Sequence, residues 1–214
     1  ARQAGGRGRR GRSFASPGGM GIYLSVILRP DARPDALMHL SACAAEAGAE
    51  AVETQTGLQA GIKWVNDLVA GGKKLSGILT ELSVELESGR VQYAVVGIGV
   101  NCCQRPSDFP PELADIATSI AMQTGKDPDR NALAAELIRA ISRLSRELLT
   151  ERAAWMERYR ARCVTLGKQV QVLWPDGMRE ARAIGLNDYA ALEVEYPDGS
   201  RALVSSGEGS ARGM

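Results

Sequence analysis

Apolar positions along this chain fall into blocks with two different spacings. Ile22 to Leu28, Ile62 to Val65 and Val91 to Val100 are short, β-branched apolar runs, the pattern of buried strands. Pro30 and Pro34 end the first of them. Asp35 to Thr56 instead places Leu37, Leu40, Ala44, Ala47 and Ala51 at helical spacing, with Gly57 as the stop. Leu68 to Ala70 and Lys74 to Glu85 are predicted to pair as a hairpin about Gly71-Gly72. Residues 102–130 are rich in Pro and Asp and read as loop with one short helix. Asn131 is placed as the cap of a helix with Leu133, Leu137, Ile141, Leu144 and Leu148 on its core face. That helix is expected to run past Trp155 to Tyr159.

The period changes near Gly167. Val170, Val172 and Trp174 alternate with polar residues, and Pro175-Asp176-Gly177 and Pro197-Asp198-Gly199 are turn signals. Proline presets φ for such a turn and glycine accepts a positive φ. Short strands at this spacing predict a small β-barrel. The expected fold class is α+β: a mixed β-sheet with packed helices over residues 1–166, then a barrel over 167–214.

Charge refines this picture. The formal net charge is +1, yet residues 1–12 hold five arginines and no acid, leaving 21 basic against 25 acidic residues elsewhere. The positive charge is therefore a local device rather than a surface-wide nucleic-acid footprint. Hydrophobic residues make up 44% of the chain, enough for a packed core. The cysteines are Cys43, Cys102, Cys103 and Cys163, without C-x-x-C spacing, and His39 is the single histidine. Those counts argue against a zinc site and against a Ser-His-Asp hydrolase. Cys102 and Cys103 read as reduced thiols near a strand end, and the expected compartment is cytoplasmic. No apolar run approaches the roughly 20 residues of a membrane span, and no secretion signal is seen. His39 is expected at the surface or the core edge.

Three segments carry chemistry. GGRGRRGR at 5–12 combines glycines that expose backbone N–H groups with planar guanidinium donors suited to phosphate and carboxylate. KWVNDLVAGGKKLSGIL at 63–79 sets Lys63, Asn66 and Asp67 at a strand end and returns through Gly71-Gly72 to Lys73, Lys74, Ser76 and Gly77. GIGVN at 97–101 is a strand ending in Asn101. A carboxylate, an amide, ammonium groups and a bare glycine suit an anion lying beside a flat ring. Each segment alone also has a plainer reading: a basic tail, a solvated hairpin, a capped core strand.

Together, in this order and spacing, the three segments resemble the catalytic domain of biotin protein ligase, and the likeness extends to the C-terminal barrel, SH3-like in that family. The resemblance implies a ligase that activates biotin with ATP and Mg²⁺ to biotinyl-5′-AMP, then transfers biotin to a lysine of a biotin carboxyl carrier protein. It implies that Gln3 and the loop Arg7, Gly8 and Arg9 contact biotin and the adenylate, with Arg9 also catalytic. Lys74 is implied at the biotin carboxylate and α-phosphate as the main catalytic residue, and Gly77 against biotin. Lys63, Asn66, Asp67 and Asn101 are implied on the nucleotide side, Asp67 also as a Mg²⁺ ligand. Glu208 and Arg212 match the barrel-tail pair that reaches toward ATP.

Two departures stand out. Val65 occupies the place of the family's usual proline, which is expected to loosen the turn into Asn66-Asp67. The family's Ser-Thr-Asn segment precedes the glycine-arginine loop, whereas this sequence opens on the loop, so an N-terminally truncated chain without a DNA-binding domain is expected. The alternative function is a catalytically impaired remnant that binds biotin or adenylate, or dimerises. A nucleic-acid module using the arginine arm is a third reading, against which the acidic remainder argues. Lipoyl and octanoyl transferases are nearer relatives, but the glycine-arginine loop points to biotin. Acceptor identity and a homodimer are left open.

Overall fold

The structure, a computed structural model, describes residues 18–174, 177–205 and 211–213, the last three by their backbone alone. Five strands form the first sheet: β1 (Gly21–Leu28), β2 (Gly61–Lys63), β3 (Asp67–Ala70), β4 (Lys73–Val84) and β5 (Val91–Asn101). Their spatial order is β1-β5-β4-β3-β2, and all four ladders are antiparallel. Parallel pairing enters at two single bridges, Ile62 with Cys163 and Lys74 with Ala117. The β3–β4 connection is the expected two-residue hairpin. Gly71 and Gly72 hold φ of 56° and 75°, the pair of positive values that a type I′ turn demands.

The strands alternate rather than being buried on both faces. In β5 every second residue from Ala94 to Val100 is buried, while Val95, Gly97 and Gly99 are only half-buried. Ile22, Val100, Ser76, Leu68 and Ile62 form one cross-strand row on the buried side. Helix α1 (Leu40–Thr56) packs there. Its small side chains are buried around nearly its whole circumference, so it is a central helix flanked by α3 (Arg130–Glu147) and α4 (Arg152–Arg162). Gly57 closes α1 in the left-handed region, and its N–H donates to Glu53 O.

Several helix boundaries differ from the periodicity. Pro34–Leu37 is a separate 3₁₀ turn, with Pro34 supplying its preset φ. Asp129, not Asn131, caps α3: its Oδ1 accepts from Asn131 N at 2.9 Å and Ala132 N at 3.1 Å. The predicted long helix is two helices. His39 Nε2 donates to Leu148 O at 3.0 Å, drawing that carbonyl out of the helical ladder. His39 is thus buried, at 1% exposure, not superficial. A short helix α2 (Ile120–Thr124) lies in the loop-rich region, as expected.

The second sheet holds β6 (Gln169–Trp174), β7 (Gly177–Leu186), β8 (Leu192–Glu195), β9 (Arg201–Val204) and β10 (Ala211–Gly213) in the order β10-β6-β7-β8-β9. Val170, Val172, Ala183, Leu192, Val194 and Val204 are buried at its core. This small antiparallel sheet agrees with the barrel predicted from the alternation. Gly199 takes φ of 82° in the turn between β8 and β9, while Pro175-Asp176 lies outside the described residues.

Candidate active site on the open face of the first sheet

Strand register brings the motif residues together. Lys63 pairs with Asp67, Asp67 with Gly77, Gly77 with Gly99, and Gly99 with Tyr23. Cross-strand partners point to the same face, so these five residues form one row on the side opposite the core. Two adjacent glycines give the row a floor without side chains. With strands about 4.8 Å apart, about 14 Å separates the backbones of β3 and β1 across it. Tyr23 lies back over Gly21, its hydroxyl 2.6 Å from where a Cβ would stand there. Val100 O stands 2.8 Å from the same point, and that backbone contact is what requires glycine.

Lys74 stands three residues before Gly77, and simple alternation would turn it to the other face. A bulge corrects this. Register shifts between Leu68 and Val69, so that Asp67 opposes Gly77 while Val69 opposes Lys74. Leu75 is the extra residue, buried against the core. Lys74 therefore shares the open face with Gly77, and its Nζ lies 2.7 Å from Asp67 Oδ1. Both side chains are partly exposed, at 40% and 29%. A pair in that setting is worth at most about 1 kcal/mol, weak enough for an incoming anion to reorganise. Lys73 points elsewhere and donates to Ala114 O at 3.0 Å.

The β2–β3 turn, Trp64-Val65-Asn66, is held from four directions. Trp64 N donates to Thr165 Oγ1 at 2.9 Å, and its indole Nε1 to Ala190 O at 2.8 Å. Tyr159 OH donates to Val65 O at 3.2 Å. Ile78 N donates to Asn66 O at 2.9 Å, and Asn66 Nδ2 returns a bond to Ile78 O. The Trp64–Val65 peptide bond is cis. The loosening expected from Val65 is thus opposed by bonds to α4, to the residues after it, to β4 and to the second sheet.

Where β5 ends, residues 116–119 take its place beside β4. Lys74 N donates to Ile116 O at 2.7 Å and Thr118 N to Lys74 O at 2.8 Å. Asn101 seals this corner: its Nδ2 donates to Thr118 O at 2.9 Å, and its Oδ1 accepts from Gln104 Nε2 at 3.1 Å. Asn101 is buried, so its first role in the geometry is to fix this strap against Lys74. A side-chain amide carries a second N–H and a second lone pair, which leaves capacity for a further contact.

Lys63, Asn66, Asp67, Lys74, Gly77 and Asn101 are thus gathered at one end of one sheet. Gln3, Arg7, Gly8, Arg9 and Glu208 lie outside the described residues. Arg212 sits in β10 opposite Gln171, by backbone register. Tyr23, Gln104, Thr118 and the Trp64-turn anchors Tyr159, Thr165 and Ala190 belong to none of the three sequence motifs. Tyr23 belongs to Ile22 to Leu28, whose apolar run marks a strand and no site. The others lie far apart in sequence. Among the described residues no cluster of three or more His, Cys, Asp or Glu could hold a metal, and no helix is long and apolar enough to cross a membrane. The cysteines are free thiols, and burial pushes Cys43 and Cys102 up to about 12.

Comparison with known proteins places this geometry. The Biotin/lipoate A/B protein ligase family model matches residues 1–101. The bifunctional ligase/repressor BirA of Bacillus subtilis is 34% identical over 210 residues, covering 96% of this chain and 63% of that protein. This chain therefore spans somewhat less than two thirds of that relative. The biotin–[acetyl-CoA-carboxylase] ligase of Mycobacterium tuberculosis is 32% identical, covering 96% of this chain and 75% of its own length. The biotin protein ligase of Aquifex aeolicus, solved in complex with biotin and ATP, superposes with a TM-score of 0.84 at 30% identity, covering 100% of this chain and 87% of that one. Motifs, fold and similarity over nearly the whole chain agree: the chain belongs to the biotin protein ligase family.

Proposed function

We propose that this chain activates biotin with ATP to biotinyl-5′-AMP and passes the biotinyl group to a lysine of a biotin carboxyl carrier protein. One observation carries the reading: the bulge at Leu75 turns Lys74 onto the glycine floor beside Asp67. The biotin ring lies on Gly77 and Gly99. Its carboxylate attacks the α-phosphorus of ATP, and pyrophosphate leaves. Bringing two anions together is the electrostatic difficulty, and the Lys74 ammonium offsets it. The acceptor amine then attacks the carbonyl of the mixed anhydride, and AMP leaves with the bonding electrons. No protein nucleophile is needed, because positioning and preorganised charge supply the catalysis. Arg7 and Arg9 are assigned to the adenylate in this reading, and Glu208 and Arg212 to ATP, on their match to the family's motifs.

Asp67 fits Mg²⁺, which binds through one or two carboxylates together with substrate phosphates rather than through an all-protein cage. When bound there, Mg²⁺ would neutralise phosphate charge. Lys63 and Asn66 belong to the nucleotide side of the same row. The chain is divided at Gly167 into a catalytic part and the small barrel.

The test is biotin-dependent exchange of pyrophosphate into ATP. Lys74→Ala is expected to lower its rate by about 10²–10³-fold, the equivalent of about 3–4 kcal/mol for one preorganised donor. Thermal stability is expected to be nearly unchanged, because the side chain is partly exposed. Unaltered exchange in Lys74→Ala contradicts the assignment. No exchange in the parent protein favours the binding-only alternative.

A further inference from the structure

We propose that Trp64 is a positioning residue for adenylation, through which the C-terminal sheet sets the turn that carries Asn66 and Asp67. This rests on the functional reading above and adds a part to it. Trp64 touches no reacting group in that reading. It stands next to Lys63 and three residues before Asp67, at the start of the turn that enters the open-face row. The residue is 6% exposed, and its Nε1 donates to Ala190 O at 2.8 Å. A buried indole N–H that loses its acceptor is costly, so the turn and the 187–191 loop move together.

The 187–191 loop is built to present that carbonyl. Ala190 has φ of 62°, the left-handed region that a residue with a Cβ seldom occupies. Such a conformation persists where the surroundings over-determine it. Here they do. Asn187 Oδ1 accepts from Tyr189 N and Ala191 N, both at 2.9 Å. Ala190 N donates to Asn187 O, and Asn187 N donates to Ala191 O, each at 3.1 Å. Arg160 of α4 ties down the same loop, with Nη2 2.7 Å from Asp188 Oδ1. The other bonds to the Trp64 turn come from the first sheet, from α4 and from Thr165; this one joins it to the second sheet. A loop held this closely, aimed at an indole beside the nucleotide-side residues, gives the barrel a means of fixing where Asp67 stands.

The experiment is steady-state pyrophosphate exchange on the full chain with three variants. Trp64→Phe keeps an aromatic, apolar side chain, smaller than the indole, and removes the donor. Asn187→Ala frees the loop that aims the acceptor. The third variant combines them. Each single change is expected to lower kcat/KM for ATP about tenfold, the rate equivalent of one lost buried hydrogen bond, with KM for biotin within twofold of the parent. The double variant is expected to match the singles, because both break one link. Should Trp64→Phe fail to fold, Asn187→Ala decides alone. Unchanged ATP kinetics in a folded variant, or effects that multiply, overturn the proposal while leaving the functional reading intact. Absent exchange in the parent overturns both.

Discussion

At the scale of single residues, the site depends on two absences as much as on its charges. Gly77 and Gly99 lie side by side in β4 and β5 and leave the sheet bare between Asp67 and Tyr23. Gly77→Val is predicted to place a branched side chain on that floor. Valine suits a strand, so the fold should persist. KM for biotin should rise at least about tenfold while thermal stability changes little; an unchanged KM would show that biotin does not lie there. The charged residues were legible in the sequence because their types and spacing already state a chemistry. Tyr23 and Trp64 were not, because their importance lies in what they face. Tyr23 flanks the floor only through the β1–β5 register, and the acceptor of the Trp64 indole is 126 residues away.

At the scale of elements, alternation and period recovered the strands, the hairpin, the central helix and the small second sheet. They failed where a tertiary contact outweighed a local pattern. The bulge at Leu75 is the consequential case. Strict alternation from Gly77 would bury Lys74, and the register shift restores it to the open face. A bulge leaves little trace in one sequence, apart from the adjacent buried residues Leu75 and Ser76, which alternation cannot both place inside. The break between α3 and α4 has a similar cause, since His39 is 109 residues from the carbonyl it takes. The α3 cap was misplaced by two residues because Asp129 and Asn131 both have capping side chains. Only the geometry shows which oxygen accepts.

At the scale of the whole molecule, His39 links α1, the end of α3 and the second sheet. Its ring meets Tyr189 edge-on at 6.3 Å, and Arg152 stacks over the same tyrosine at 4.4 Å. Burial holds the imidazole below its ordinary pKa of 6.5; the Leu148 carbonyl opposes this, and Arg152 adds to it. The unfolded chain therefore binds this proton more readily than the folded one. Stability from this group is complete above pH 6.5 and is lost as pH falls from there through the folded value. Urea midpoints at about pH 7.5 and 5.5 should drop more for the parent than for His39→Gln; equal drops would contradict the linkage. The central claim is that biotin and ATP meet on the open face of the first sheet. Backbone amide resonances, followed while a stable biotinyl-adenylate analogue is added, test it most directly. The account predicts that the largest shifts fall on Lys74, Gly77 and Gly99. Binding that leaves those three unmoved and perturbs the second sheet instead would contradict it.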